Sequence, residues 1–298
     1  MTKLLELRID QCALKLDNEL GESPLWNIEQ QTLYWLDIER GQLHTYHPAT
    51  QDYQTFELGK QAGSIAFTKT DELLVATTNG LAFWNKNTGL TENVIDFFST
   101  TDPRMMNDGK VDPTGNFWVG SKGPKKASFL YRVTPNLITE LMLDEITISN
   151  GMDWTSDTGY FFYADSGVES VYQFKYDRSL ALIGDVVLFY TDNQGTPDGL
   201  TIDSQGNIWI AIWDGWQIVG LRPSGEQFCK IQLPVSRPTS VAFGGPDLKT
   251  LFITSARTGL SAEALEREPL AGSLFSVLLK TPGRPSNKFG YSPKSTRS

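Results

Sequence analysis

The chain has 298 residues, 40% of them hydrophobic and 20% charged, with a formal net charge of −9. That is enough apolar material for a packed core, and the acidic balance argues against general binding to nucleic acid or to an anionic membrane surface. Two widely spaced cysteines, Cys12 and Cys229, exclude a disulfide framework, and neither a leader-like apolar run at the N-terminus nor a stretch of about 20 apolar residues is present, so a soluble, cytoplasmic monomer or dimer is expected.

Along the chain, short β-type runs alternate with turn signals. P-L-W-N-I-E-Q-Q-T-L-Y-W-L-D (24–37) comes first, then S-I-A-F-T-K-T-D-E-L-L-V-A-T (64–77) and V-D-P-T-G-N-F-W-V-G (111–120). M-D-W-T-S-D-T-G-Y-F-F-Y-A-D (152–165), I-D-S-Q-G-N-I-W-I-A (202–211) and S-V-A-F-G-G-P-D-L-K-T-L-F-I-T-S (240–255) follow. The third and fifth phrases match position by position, two repeats of about 40–50 residues apart. Residues 199–233 spell one unit in full: four strands in a meander, which is one propeller blade.

Six such units predict an all-β, six-bladed β-propeller spanning 1–285 as a single domain. Residues 8–16 are expected to complete the last blade beside 272–279, so that pairing of the N- and C-terminal strands closes the ring and removes two open edges. S-A-E-A-L-E-R-E (261–268) reads as a helical insertion, and 286–298, rich in Pro, Ser and basic residues, as a flexible tail.

In a propeller the first strand of each blade lines the central channel. The residues just ahead of those strands are Glu22, Gly63, Asp108 (with Asn107 before it), Asn150, Asp198 and Thr239. Glu22, Asn150 and Asp198 can therefore meet near the axis. Two carboxylates and an amide oxygen form a hard-oxygen donor set for one divalent metal ion, Ca²⁺, Mg²⁺ or Mn²⁺, with Zn²⁺ also compatible. Asx-Gly before a strand is also ordinary turn chemistry, but Glu22 is a poor turn former and needs another reason to sit there. His44 and His47 fall on an outer strand of the first blade, far from the axis, and read as exposed residues rather than a catalytic base. The eight Trp read as core, with Trp213 and Trp216 as candidates to wall a pocket.

G-E-S-P-L-W, N-D-G-K-V-D-P-T-G-N-F-W-V-G, S-N-G-M-D-W, P-D-G-L-T-I-D and P-L-A-G-S-L-F together resemble the regucalcin (SMP-30)/gluconolactonase/luciferin-regenerating-enzyme-like family, from about residue 18 to 290. The resemblance implies a metal-dependent hydrolase that opens sugar lactones. It implies Glu22, Asn150 and Asp198 as metal ligands, Asp198 as the catalytic base, and Asn107, rather than the Asp108 that register alone favours, beside the substrate. A phosphotriester hydrolase or a non-catalytic calcium-binding propeller are the other functions such a cup could serve. The chain also departs from the family pattern. Met105 occupies the position of an Arg that contacts substrate, Arg104 stands one place early, and Lys122 replaces a Met ahead of Lys125 and Lys126. These three residues are candidate substrate contacts; the lysines read either as a solvated surface loop or, at Lys122, as a cation that replaces the one lost at Met105 and favours an anionic or phosphorylated lactone.

Overall fold

The computed structural model describes residues 4–70, 72–157, 159–179, 182–192 and 194–291. Six antiparallel sheets follow one another along the chain. The first blade is Gly21–Asn27, Thr32–Asp37, Gln42–His47 and Asp52–Glu57; the second is built on Ala62–Phe67, Leu73–Thr77 and Gly80–Asn85, with the short Ile95–Asp96 outside. The third is Met105–Val111, Phe117–Lys122, Ser128–Val133 and Thr139–Ile146; the fourth is Ser149–Trp154, Tyr160–Asp165, Ser170–Asp177 and Leu182–Thr191. The fifth is Thr196–Ile202, Ile208–Trp213, Gln217–Leu221 and Gln227–Gln232, and the sixth is Pro238–Gly244, Thr250–Ser255 and Phe275–Leu278. The insertion is a six-residue helix, Ala262–Arg267, whose first turn is capped by the Ser261 hydroxyl. No helix among the described residues is long and apolar enough to cross a membrane.

The repeated phrase has a physical cause. Asp112 accepts from the backbone N–H of Thr114 and Asn116, from Asn116 Nδ2 and from Trp118 Nε1 at 2.8–3.0 Å. Asp203 makes the equivalent bonds to Gln205, Asn207 and Trp209 at 2.8–3.1 Å. One buried carboxylate thus satisfies a whole turn and fixes the indole behind it, which is what D-x-x-G-N-x-W encodes. The indoles of Trp118 and Trp209 lie in the apolar layers between blades.

The ring closes between the two ends of the chain, and the N-terminal segment divides in doing so. Leu14 pairs with Leu274 as a single antiparallel bridge, and Asn18 N and Nδ2 both donate to Gly272 O. Leu5–Arg8 instead adds a parallel fifth strand to the outer edge of the fifth blade. Residues 286–291 of the expected tail are packed against the body of the ring: Asn287 Nδ2 donates to Val111 O, Phe289 is fully buried and its N–H donates to Phe67 O at 2.7 Å, and Gly290 N donates to Gly115 O. Residues 292–298 lie outside the described residues. Arg284, Pro285, Ser286 and Asn287 cross the end of the channel opposite the cup described below.

Candidate functional site

Every innermost strand is irregular at the same rung. The ladder to the second strand shifts between Glu22 and Leu25, Ala62 and Ser64, Met106 and Gly109, Ser149 and Met152, Pro197 and Leu200, and Pro238 and Val241. The residues aligned from sequence therefore lie within these strands, at bulges, rather than in turns ahead of them. A bulge re-aims side chains, and four of the residues at these bulges, Glu22, Asn107, Asn150 and Asp198, line one cavity. The glycines that follow serve close approach: a Cβ on Gly151 would sit 2.4 Å from Leu200 N and 2.5 Å from Asp198 O of the next blade.

At this rung Glu22, Asn107, Asn150 and Asp198 line one cavity of about 350 Å³, at the small end of the roughly 300–1,000 Å³ typical of ligand pockets. Its wall comes from the ends of the second strands. Ile38 and Ser166 directly follow theirs, and Lys122 and Trp213 are the last residues of theirs, with Leu20, Ile148 and Thr196 completing the wall.

Hydrogen bonds orient the amides. Ser166 Oγ donates to Pro197 O at 2.6 Å and so accepts from Asn150 Nδ2 at 2.9 Å, which turns Asn150 Oδ1 the other way, where it accepts a long hydrogen bond from Asn107 Nδ2 at 3.4 Å and keeps a second lone pair for a cation. Asn107 Nδ2 donates to Ser149 O at 2.8 Å, leaving its own Oδ1 free. Glu22 Oε2 accepts from Ser23 N at 2.9 Å. Asp198 Oδ1 is buried with no hydrogen-bond partner among the described residues.

These acids are strained as a set. Burial, then the nearby Asp108 carboxylate, pushes Glu22 up to about 8. Burial, then Glu22 and Asp108, holds Asp198 well above the usual carboxylate range. Burial raises Asp108 to about 6. Like charges confined together in this way favour either protons or a cation. No three His, Cys, Asp or Glu side chains gather as a ready-made metal cluster among the described residues; the donor set is two carboxylates and an amide oxygen. An orphaned carboxylate oxygen, an amide oxygen held outward and mutual repulsion fit one hard divalent ion.

Other expected residues lie elsewhere. Asp108 lines the channel beneath the cup, with Gly109 N donating to it at 2.7 Å. Arg104 is turned away from the cavity, paired with Asp102 at 2.7 Å and laid over the Phe98 and Phe129 rings. Met105 pairs across the ladder with Lys122 but packs with the apolar cluster of Leu36, Ile38 and Leu58 and does not line the cavity. His44 is buried rather than exposed, stacked on Trp35 and Tyr53, with its pKa lowered to about 4 by burial. Trp213 walls the cavity, whereas the partly exposed Trp216 does not line it. Ser166 was missed in the sequence, where D-S-G after a strand looks like any turn.

Deeper in the channel, Asp153 accepts from Lys110 Nζ at 2.8 Å and from Arg284 Nη2 at 3.2 Å. Burial opposes the ionised form there, but the two cations outweigh it and hold Asp153 below the ordinary range.

The chain is 32% identical to a 6-deoxy-6-sulfogluconolactonase of Pseudomonas putida over 92% of its own length and 96% of the relative's. It is 31% identical to regucalcin of Danio rerio over 90% of its length and 93% of the relative's. Its fold superposes on a crystal structure of a calcium-binding protein, regucalcin, from Agrobacterium tumefaciens with a TM-score of 0.91 and 25% identity, covering 96% of this chain and 99% of that one. With residues 20–257 matching the family model as well, the chain belongs to the SMP-30/Gluconolactonase/LRE-like family.

Proposed function

We infer that the protein is a metal-dependent hydrolase of sugar lactones. The observation that carries this reading is the convergence of Glu22, Asn150 and the hydrogen-bond-starved Asp198 on the floor of a monosaccharide-sized cavity. Family membership and a relative named as a lactonase support it.

Glu22, Asn150 Oδ1 and Asp198 would hold the cation. When bound, such an ion supplies Lewis-acid polarisation of the lactone carbonyl and lowers the pKa of a water. Asp198 would then have two tasks, to help hold the cation and to receive a proton from the attacking water. Attack forms the new C–O bond; collapse breaks the ring C–O bond; the proton held by Asp198 passes to the departing ring oxygen, leaving the hydroxy acid. Asn107 Oδ1, with its amide nitrogen committed to Ser149 O, accepts from a sugar hydroxyl. Trp213 offers an apolar face to the ring.

The test is acid release from D-glucono-1,5-lactone and a panel of sugar lactones, on chelated protein with Mg²⁺, Mn²⁺, Ca²⁺ or Zn²⁺ restored. Turnover should require the metal and disappear in Glu22→Gln, and Asp198→Asn should lose about 100-fold or more in kcat. Metal binding without turnover of any lactone would overturn the reading.

A further inference from the structure

The cup carries one charge that its metal-holding role leaves unbalanced. Lys122 is the only cationic side chain among the described residues that line it. The other two cations of the channel, Lys110 and Arg284, are both paired with Asp153; Lys122 has no ion pair among the described residues, and its charge is felt by Glu22 and Asp198. Those two carboxylates are the groups a divalent ion would neutralise. Once they are committed, two negative charges meet two positive ones, and the Lys122 ammonium remains without a counter-ion in a half-buried wall.

Its position is also fixed. Lys122 ends the second strand of the third blade, faces Met105 on one side and bridges Ile148 of the fourth blade on the other. The backbone is thus clamped between two blades, and only the aliphatic stem and ammonium are free to move. Lys125 and Lys126 follow on an exposed loop and make this sector of the rim locally positive in an otherwise acidic protein. Arg104, the other cation nearby in sequence, is turned away onto Asp102 and contributes nothing to the cup.

We propose that Lys122 is a specificity-determining residue and that the substrates are sugar-acid lactones bearing a second anionic group (phosphate, sulfonate or carboxylate) at the end of the sugar remote from the ring carbonyl. This rests on the lactonase reading and narrows it. The ammonium pairs with the remote anion, while the cation on the cup floor takes the carbonyl end, so the two charges fix the direction in which the sugar lies. A neutral lactone lacks the second anchor.

The experiment is calorimetric binding of the ring-opened acids to Ca²⁺-loaded protein, using D-gluconate, D-glucarate and 6-phospho-D-gluconate. The acids that carry a second anionic group should bind about tenfold or more tightly than D-gluconate, the effect of one charge-assisted hydrogen bond, and the preference should shrink with added salt. In Lys122→Gln the preference, read as the ratio of affinities, should fall to within about twofold, and Lys122→Arg should retain it. A preference for only one of the two, lost in Lys122→Gln, supports the proposal and identifies the anion as phosphate or carboxylate. Equal affinity for all three acids, or a preference that survives in Lys122→Gln, overturns it. Failure of all three acids to bind also overturns it; if D-glucono-1,5-lactone is then still hydrolysed, the lactonase reading stands alone, and if no lactone is hydrolysed, that reading falls too.

Discussion

Replacing Glu22 by Gln should make the metal-free protein more stable, by an amount that grows from about pH 4.5 and is complete above about pH 8. Glu22 is buried, and its pKa is raised from an ordinary 4.5 to about 8 by burial and by Asp108. The folded state therefore keeps a proton that the unfolded chain releases. Stability is fully present below pH 4.5 and is lost as pH rises through about 8. At about 1.4 kcal/mol for each unit of pH in that window, the loss approaches 5 kcal/mol if Glu22 bears it alone. Asp198 and Asp108 share the titration, so roughly half of that, about 2–3 kcal/mol, is assigned to this side chain. Gln does not titrate and can still accept from Ser23 N, so the variant escapes the loss. At about 2 °C per kcal/mol for a chain of this size, its Tm in chelator at pH 8.5 should lie about 5 °C above the parent's. At pH 5 the two should differ by less than about 1 °C. Adding a divalent cation at about 1,000 times its Kd should stabilise the parent by about 4.1 kcal/mol and the variant far less, reversing the order. Thermal and urea denaturation at the two pH values, with and without metal, test all of this. A variant no more stable than the parent at pH 8.5 in chelator, or equally favoured at pH 5, would refute the reasoning.

Two further expectations concern the scaffold. Gly151→Ala inserts a methyl against the backbone of the fifth blade at Leu200 and Asp198; thermal denaturation should show a loss of about 1–3 kcal/mol, with calorimetric metal affinity falling as Asp198 is displaced. Phe289→Ala removes a fully buried ring and should cost about 3–5 kcal/mol in urea denaturation; a cost under about 1 kcal/mol would mean that the tail does not anchor the ring.

The repeat was legible because its turn chemistry is local. An Asp that bonds its own turn and a Trp six residues on is written into ten residues, twice over. The convergence of Glu22, Asn150 and Asp198 was legible from register, because equivalent rungs of a ring face one axis. The bulge was not legible: N-G and D-G read equally well as turns, and only the approach of Gly151 to the neighbouring blade shows that the glycine is there for contact. For the same reason register alone favoured Asp108 over Asn107, although it is Asn107 that lines the cup and Asp108 that lines the channel beneath it. The burial of His44 was hidden because L-H-T-Y-H alternates like an exposed strand, while its cover, Trp35 and Tyr53, comes from the strands on either side. The N-terminal segment looked like one strand because nothing in R-I-D-Q-C-A-L-K-L marks the change of partner from the fifth blade to the sixth. Phe289 gave no warning either, since two aromatics, Phe289 and Tyr291, in a basic, Ser-rich stretch are too few to set a periodicity.

The segment from Arg284 to Asn287 lines the channel and is tied there by the Arg284–Asp153 ion pair, while Asn287, Phe289 and Gly290 bond to the third and second blades. A stretch that follows the sixth blade in sequence is thus stitched to blades laid down much earlier. It acts as a strap on staves it was not cut from: strain or slack introduced after the last blade is felt on the opposite side of the ring.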